Sequence, residues 1–300
     1  MSKIKGIIPA MITVFDDSEA IDEKGIRSHV NFLIENGVHG IAPVGSTGEF
    51  IAMTLEERKR VAEIVVDEAR GRVPVYPGTG HYTTKLTIEL SQHAQKLGAA
   101  GVMVILPYYM QPPKAEVMAH FRELARNISI PIIIYNNPWF AGFELSSWDI
   151  AQLVDEGVVA SIKAAHGDPD RIHDLKFLCG DKLTALYGHD YCALEAFLAG
   201  ADGWLSGVLN VFPRLCRDLY DAAVEEKNVD KARMLLRKML PFIHFVMYNK
   251  QDRYPHWLSV FKTALNLMGR RVGSPRKPIT LLRGAEEQKL KAILSNMGLL

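Results

Sequence analysis

The sequence predicts an α/β fold in which short parallel strands alternate with helices, and three observations carry that expectation. Eight apolar runs of strand length are spaced along the first 205 residues of the 300-residue chain. The segments between them carry apolar residues at three- and four-residue spacing, the period of a helix buried on one face. Three of those segments end alike, at Gly37, Gly98 and Gly200. A glycine there stops a helix in the left-handed conformation before a small-residue turn into the next strand.

The apolar runs are 7–12, 38–44, 73–76, 102–106, 131–135, 158–162, 183–187 and 203–205. Several are β-branched and apolar on both faces, as buried parallel strands are. Thr54 caps one helix and Glu57 completes a capping box, with Val61, Ile64 and Val65 as its apolar face. Ser146 and Asp149 give a second start signal before Ile150, Leu153 and Val154. Right-handed βαβ units of about 25–30 residues, repeated eight times, close most naturally into a (β/α)8 TIM barrel. A doubly wound open sheet is the rival, but the G-x-G-x-x-G fingerprint it normally carries after its first strand is absent there. From about Val224 the strand signals stop. Segments 231–250, 256–268 and 285–299 read as helices, and 272–278 as an extended connector. The expected organisation is a catalytic barrel over 1–225 with a C-terminal three-helix appendage over 226–300.

Composition narrows the function classes. Lys and Arg total 35 against 34 Asp and Glu, a formal net charge of +1. Such a chain has no bulk electrostatic pull on nucleic acid or an anionic membrane. Hydrophobic residues make up 48% and charged residues 23%, enough apolar material for a large core. Cys179, Cys192 and Cys216 lie far apart with no C-x-x-C, so neither a disulfide framework nor a structural zinc site is expected, and a reducing cytoplasm is. No signal-peptide pattern opens the chain, and no run of about 18 apolar residues predicts a membrane span.

Barrel enzymes keep their chemistry at the C-terminal ends of the strands. After the second run comes Gly45-Ser46-Thr47-Gly48-Glu49, either a plain turn or a set of exposed N–H groups and hydroxyls able to hold a carboxylate. Pro107-Tyr108-Tyr109 follows the fourth run, as packing residues or as interface anchors. The fifth ends in Tyr135-Asn136-Asn137-Pro138, where a phenol caps the barrel interior or passes protons. The sixth ends in Lys163. A lysine there snorkels out and pairs with an acid, or is desolvated into a neutral amine fit for Schiff-base chemistry. Gly188-His189-Asp190 and Ser206-Gly207 close the series, and no Lys or Arg follows until Arg214, which disfavours a phosphorylated substrate. His81, His166 and His189 also follow strands, so a metal-dependent enzyme is the other possibility. It lacks an H-x-H or H-E-x-x-H motif, and lone histidines more often serve as hydrogen-bonding residues.

Taken together, Gly45-Ser46-Thr47-Gly48-Glu49, Pro107-Tyr108-Tyr109, Tyr135-Asn136-x-Pro138 and Ile162-Lys163 resemble the dihydrodipicolinate synthase/N-acetylneuraminate lyase family in order and spacing along nearly the whole chain. The resemblance implies a (β/α)8 barrel, usually a homotetramer, that joins a lysine to a 2-oxo acid, typically pyruvate, as an imine, with no metal or other cofactor. It implies Lys163 as nucleophile, Tyr135 as proton shuttle and Ser46 as a relay hydroxyl. It also implies that Tyr109 is inserted into a neighbouring subunit's relay. The amides of Ser46 and Thr47 would hold the oxo-acid carboxylate. Gly188, Asp190 and the Leu205 carbonyl would face the substrate.

Departures from the family pattern concern the second half of the reaction. Where dihydrodipicolinate synthases usually place a carboxylate-binding arginine, this chain has Phe140, next to Trp139. Where neuraminate lyases usually place a threonine and an acid for the sugar chain, it has Ala165 and Tyr191. The expected activity is therefore a Schiff-base lyase or aldolase, or a related dehydratase or deaminase, with a changed acceptor. The alternatives are 4-hydroxy-tetrahydrodipicolinate synthase, N-acetylneuraminate lyase, or a non-catalytic barrel that senses a 2-oxo acid.

Overall fold

The computed structural model describes residues 4–248 and 256–300. Six parallel strands form one sheet in the order β1-β6-β5-β4-β3-β2: β1 Gly6–Pro9, β2 Val102–Ile105, β3 Ile132–Asn136, β4 Ser161–Ala164, β5 Thr184–Tyr187 and β6 Gly203–Ser206. All the strand residues are buried, as in a sheet covered on both faces. Helices α1 Glu23–Glu35, α2 Leu55–Ala69, α3 Thr84–Lys96, α4 Lys114–Asn127, α5 Pro138–Ala141, α6 Ser147–Asp155, α7 Asp170–Cys179, α8 Ala193–Leu198 and α9 Pro213–Tyr220 follow in alternation. Among the described helices, none is long and apolar enough to cross a membrane.

The runs at 38–44 and 73–76, expected as strands, are reduced to isolated parallel bridges. Ala42 bridges Ala10, Ile41 bridges Val75, and Gly78 bridges Met103, so hydrogen bonds still run from β1 through both segments to β2. Prolines explain the interruption. Pro43, Pro74 and Pro77 have no N–H to donate, yet each accepts through its carbonyl from a neighbouring segment.

The sixth strand also differs from expectation, starting at Ser161 rather than 158. The preceding residues are used up in leaving α6. Gly157 takes a left-handed φ of 71°, and the N–H groups of Val158 and Val159 both return to the Leu153 carbonyl. Lys163 therefore lies within the strand rather than beyond it. The local signals elsewhere hold: the capping boxes at Thr54/Glu57 and Ser146/Asp149 both form, and Gly37, Gly98 and Gly200 all have positive φ.

After α9 come α10 Val229–Tyr248, α11 Trp257–Leu267 and α12 Gly284–Asn296. The expected helix 231–250 runs past the described residues at its end. The segment 272–278 is non-helical, as expected. Helix α10 packs on α8 and α9, and α12 on α10 and α11. Eight consecutive residues of α11, from Leu258 to Leu265, are buried. An all-round buried helix of this kind belongs to a core rather than to a surface.

Two histidines make the fold pH-sensitive. His29, bonded to Asn210 at 3.0 Å, and His120, 2.9 Å from the Thr84 hydroxyl, are both pushed down to about 4 by burial. The unfolded chain binds these protons near 6.5 and the folded chain does not, so their contribution to stability is complete above 6.5 and is lost as pH falls toward 4. Tm should therefore fall between pH 7 and pH 5. His120→Gln should flatten that slope in thermal melts.

Candidate active site

Strand register builds the centre of the site. Tyr135 of β3 is the register partner of Lys163 of β4. Residues paired across adjacent strands project from the same face, so both side chains enter the same space. The Lys163 Nζ lies 3.9 Å from the centroid of the Tyr135 ring, and each residue is only 5% exposed. Among the described residues Lys163 has no ion-pair partner. Of the two alternatives open at this position, the paired, snorkelling lysine is thus not what the structure places here. The amine sits unpaired in a buried cavity.

Neighbouring residues fix this pair. Asn137 donates from Nδ2 to the Tyr135 hydroxyl at 2.8 Å, while its Oδ1 accepts from the N–H groups of Trp139 and Phe140 and caps α5. The phenol's own proton has no acceptor among the described residues. Gly188 leaves the room that the lysine needs: a Cβ there would come within 2.8 Å of the Lys163 Cγ and 2.9 Å of the Ala165 Cβ. Beyond it, the Asp190 carboxylate accepts from the Ser206 hydroxyl. Desolvation pushes the Asp190 carboxyl above its ordinary range.

The loop after the second run is held from behind. Glu49, left-handed at φ 60° and 3% exposed, forms an ion pair at 2.6 Å with Lys262 of α11, which is fully buried. Its other oxygen accepts from the Arg276 backbone at 2.9 Å. The Arg276 guanidinium bonds Glu57 and holds that carboxyl down at about 2. On the cavity side, the N–H groups of Ser46 and Thr47 have no acceptor among the described residues.

These groups line a cavity of about 580 Å³. Ser46, Thr47, Tyr135, Lys163, Gly188 and Asp190 all border it. Leu205 does not: it is fully buried in β6, and Ser206 and Gly207 take the lining positions. Tyr109 does not reach it either. It is 87% exposed with φ 73°, outside the cavity of its own chain.

Sequence reasoning missed the far wall, contributed by Val246 and Met247 of α10, by His256, and by Trp257 and Phe261 of α11. Helical periodicity shows that such residues are buried, but not against what. The role of Asn137 was within reach, since the residue stands inside a motif already singled out.

The three histidines do not converge. His81 bonds Thr83, His166 lies 2.7 Å from Glu144, and His189 borders the cavity. Among the described residues, no three His, Cys, Asp or Glu side chains are grouped to hold a metal ion.

A buried lysine beside a tyrosine, at the C-terminal end of a parallel α/β sheet, defines an aldolase-type lyase site. The chain belongs to the dihydrodipicolinate synthetase family, whose sequence profile matches residues 3–297. It is 37% identical over 296 residues to the 4-hydroxy-tetrahydrodipicolinate synthase of Pelobacter propionicus, covering 99% of both chains. It is 36% identical to that of Methanopyrus kandleri, over 99% of this chain and 98% of the relative. A prophage protein of the dihydrodipicolinic acid synthase family from E. coli K12, solved in complex with pyruvate, superposes with a TM-score of 0.93 at 30% identity over the full length of both. The dihydrodipicolinate synthase of Aquifex aeolicus gives 0.91 at 30% identity, over 99% of each chain.

Two substitutions test this construction. Gly188→Ala should push the Lys163 stem aside and cut turnover by an order of magnitude or more with little change in Tm, a split visible by comparing kcat with thermal melts. Lys262→Met leaves Glu49 buried without its ion-pair partner and should destabilise the fold by about 3–5 kcal/mol in urea titrations.

Proposed function

We propose that Lys163 forms an imine with a 2-oxo acid, pyruvate being the simplest, and that the enzyme makes or breaks a carbon–carbon or carbon–oxygen bond through it. The observation that carries this is the unpaired, buried amine of Lys163 against the Tyr135 ring. The amine attacks the oxo carbon and water leaves. The imine then withdraws electrons from the adjacent carbon, which can lose a proton and act as a nucleophile. Tyr135, its hydroxyl steadied by Asn137, moves protons at the imine and at the reacting bond, with Ser46 as its relay partner. The N–H groups of Ser46 and Thr47 take the carboxylate. Gly188 and Asp190 form the substrate-facing side, with Ser206 and Gly207 standing where the Leu205 carbonyl was expected. No metal or other cofactor enters this scheme.

The fold that goes with this reading is a closed (β/α)8 barrel over 1–225, with 226–300 as a helical extension that walls the site. We place the enzyme in the cytoplasm as a homotetramer in which Tyr109 completes a neighbour's relay. The exposure of Tyr109 and of Met110 beside it supports that arrangement. The curated relatives favour a specific second reading, synthesis of 4-hydroxy-tetrahydrodipicolinate from pyruvate and aspartate semialdehyde.

Borohydride added with pyruvate should inactivate the protein and leave a stable adduct on Lys163, located by peptide mapping. Lys163→Arg should fold, give no adduct and lose most activity. An adduct on another lysine would sink the imine assignment. Tyr109→Phe should slow turnover severalfold, and a monomerised variant should be nearly inactive. A fully active monomer, seen by sedimentation and assay together, would remove Tyr109 from the relay.

A further inference from the structure

The cavity is much larger than a three-carbon oxo acid requires, and its two sides differ in chemistry. The side formed by strands and βα loops is polar, with Lys163, Asp190 and Ser206. The opposite side is aromatic. Phe140 and Trp257 meet with ring centroids 5.5 Å apart and planes at 37°, and His256 stacks on Trp257 at 3.8 Å. Trp139 stands at the rim, 74% exposed, and Phe261 lies behind, 1% exposed. Among the described lining residues, Lys163 is the one Lys or Arg, and the imine would consume its amine. His256 supplies no charge near neutrality, because burial holds it at about 4. Arg276 and Lys277 border the adjoining cavity of about 300 Å³, but the Arg276 guanidinium is committed to Glu57 and to the Glu19 and Ala52 carbonyls, and the Lys277 amine lies 3.8 Å from Glu19 on a side chain 82% exposed.

A second carboxylate entering this side would lose its water and find no fork of donors among the described lining residues, at a substantial desolvation cost. A flat apolar group would find offset and edge contacts with Phe140 and Trp257. Resting on the imine chemistry proposed above, we infer that the acceptor or released aldehyde carries an aryl or similarly flat apolar group, seated against Phe140 and Trp257. In the joining direction, the imine-activated methyl carbon of pyruvate attacks the aldehyde carbon. The new carbon–carbon bond forms as the carbonyl π pair moves to oxygen, and that oxygen takes a proton by way of Tyr135. Hydrolysis of the imine then releases a 4-hydroxy-2-oxo acid. Cleavage is the reverse.

The test uses the full chain with pyruvate and either benzaldehyde or aspartate semialdehyde, following 4-hydroxy-2-oxo-4-phenylbutanoate or pyruvate consumption. kcat/KM for benzaldehyde should exceed that for aspartate semialdehyde by about tenfold or more, the scale on which an apolar pocket discriminates. Trp257→Leu and Phe140→Arg should each lower that ratio about tenfold, Phe140→Arg by gaining the dicarboxylic product as well. Equal or better use of aspartate semialdehyde by the unaltered protein, or a ratio that neither variant moves, overturns the inference. Borohydride trapping with pyruvate alone separates the two levels. A trapped Lys163 without aryl preference defeats this inference and leaves the imine reading standing, whereas an untrapped Lys163 defeats both.

Discussion

A lysine amine inside a parallel sheet, with no ion-pair partner among the described residues, is the constraint around which this molecule is organised. A fold keeps such a group buried only where the geometry around it is specified. Here the register does the specifying. Pairing Tyr135 with Lys163 across β3 and β4 sets the ring under the amine without a loop having to find its position. Neither strand can slip by one residue without repacking side chains that are buried on both faces, so the packing of the core itself holds the two groups together.

The same logic extends outward through charges that are paired. Glu49 and Lys262 are both buried and satisfy each other across 2.6 Å, joining the loop that follows the second run to a helix more than 200 residues later in the chain. Two cations approach the Phe15 ring, the Lys262 Nζ at 4.6 Å and the Arg276 guanidinium carbon at 4.4 Å from its centroid. A buried ion pair contributes little net stability over a hydrophobic replacement. What it supplies here is position: the loop bearing Ser46 and Thr47 is tied to the helix bearing Trp257 and Phe261, so the polar and aromatic sides of the cavity are set as one unit.

Much of this was legible in the sequence, and the limits have physical causes. Helix caps and left-handed glycines are local, and Thr54, Ser146, Gly37, Gly98 and Gly200 behave as their neighbours dictate. Strand type was legible, while strand extent depended on which N–H groups find partners, hence the bridges left beside Pro43, Pro74 and Pro77. Six of the eight anticipated site residues border the cavity because strand ends in such a fold point to one place. Leu205 and Tyr109 do not, for opposite reasons, one facing the core and the other facing solvent. The aromatic wall was illegible because Trp257 and Phe261 reach the site by tertiary packing alone, from beyond the last strand.

Backbone strain marks the loop that carries Ser46 and Thr47. Val44 is a β-branched residue at φ 60°, a conformation that costs roughly 1–3 kcal/mol and persists only where the surroundings over-determine it. They do so here. Its side chain is 2% exposed, and its carbonyl lies so close to Gly78 that any Cβ there would come within 2.2 Å. The turn at Val44 and the second left-handed residue, Glu49, bracket Gly45-Ser46-Thr47-Gly48 and leave the Ser46 and Thr47 N–H groups without acceptors of their own. Donors fixed in this way need no reorganisation when an opposite charge arrives. Folding thus absorbs the cost of the strained turn in advance and holds these donors at the cavity that Lys163 also borders.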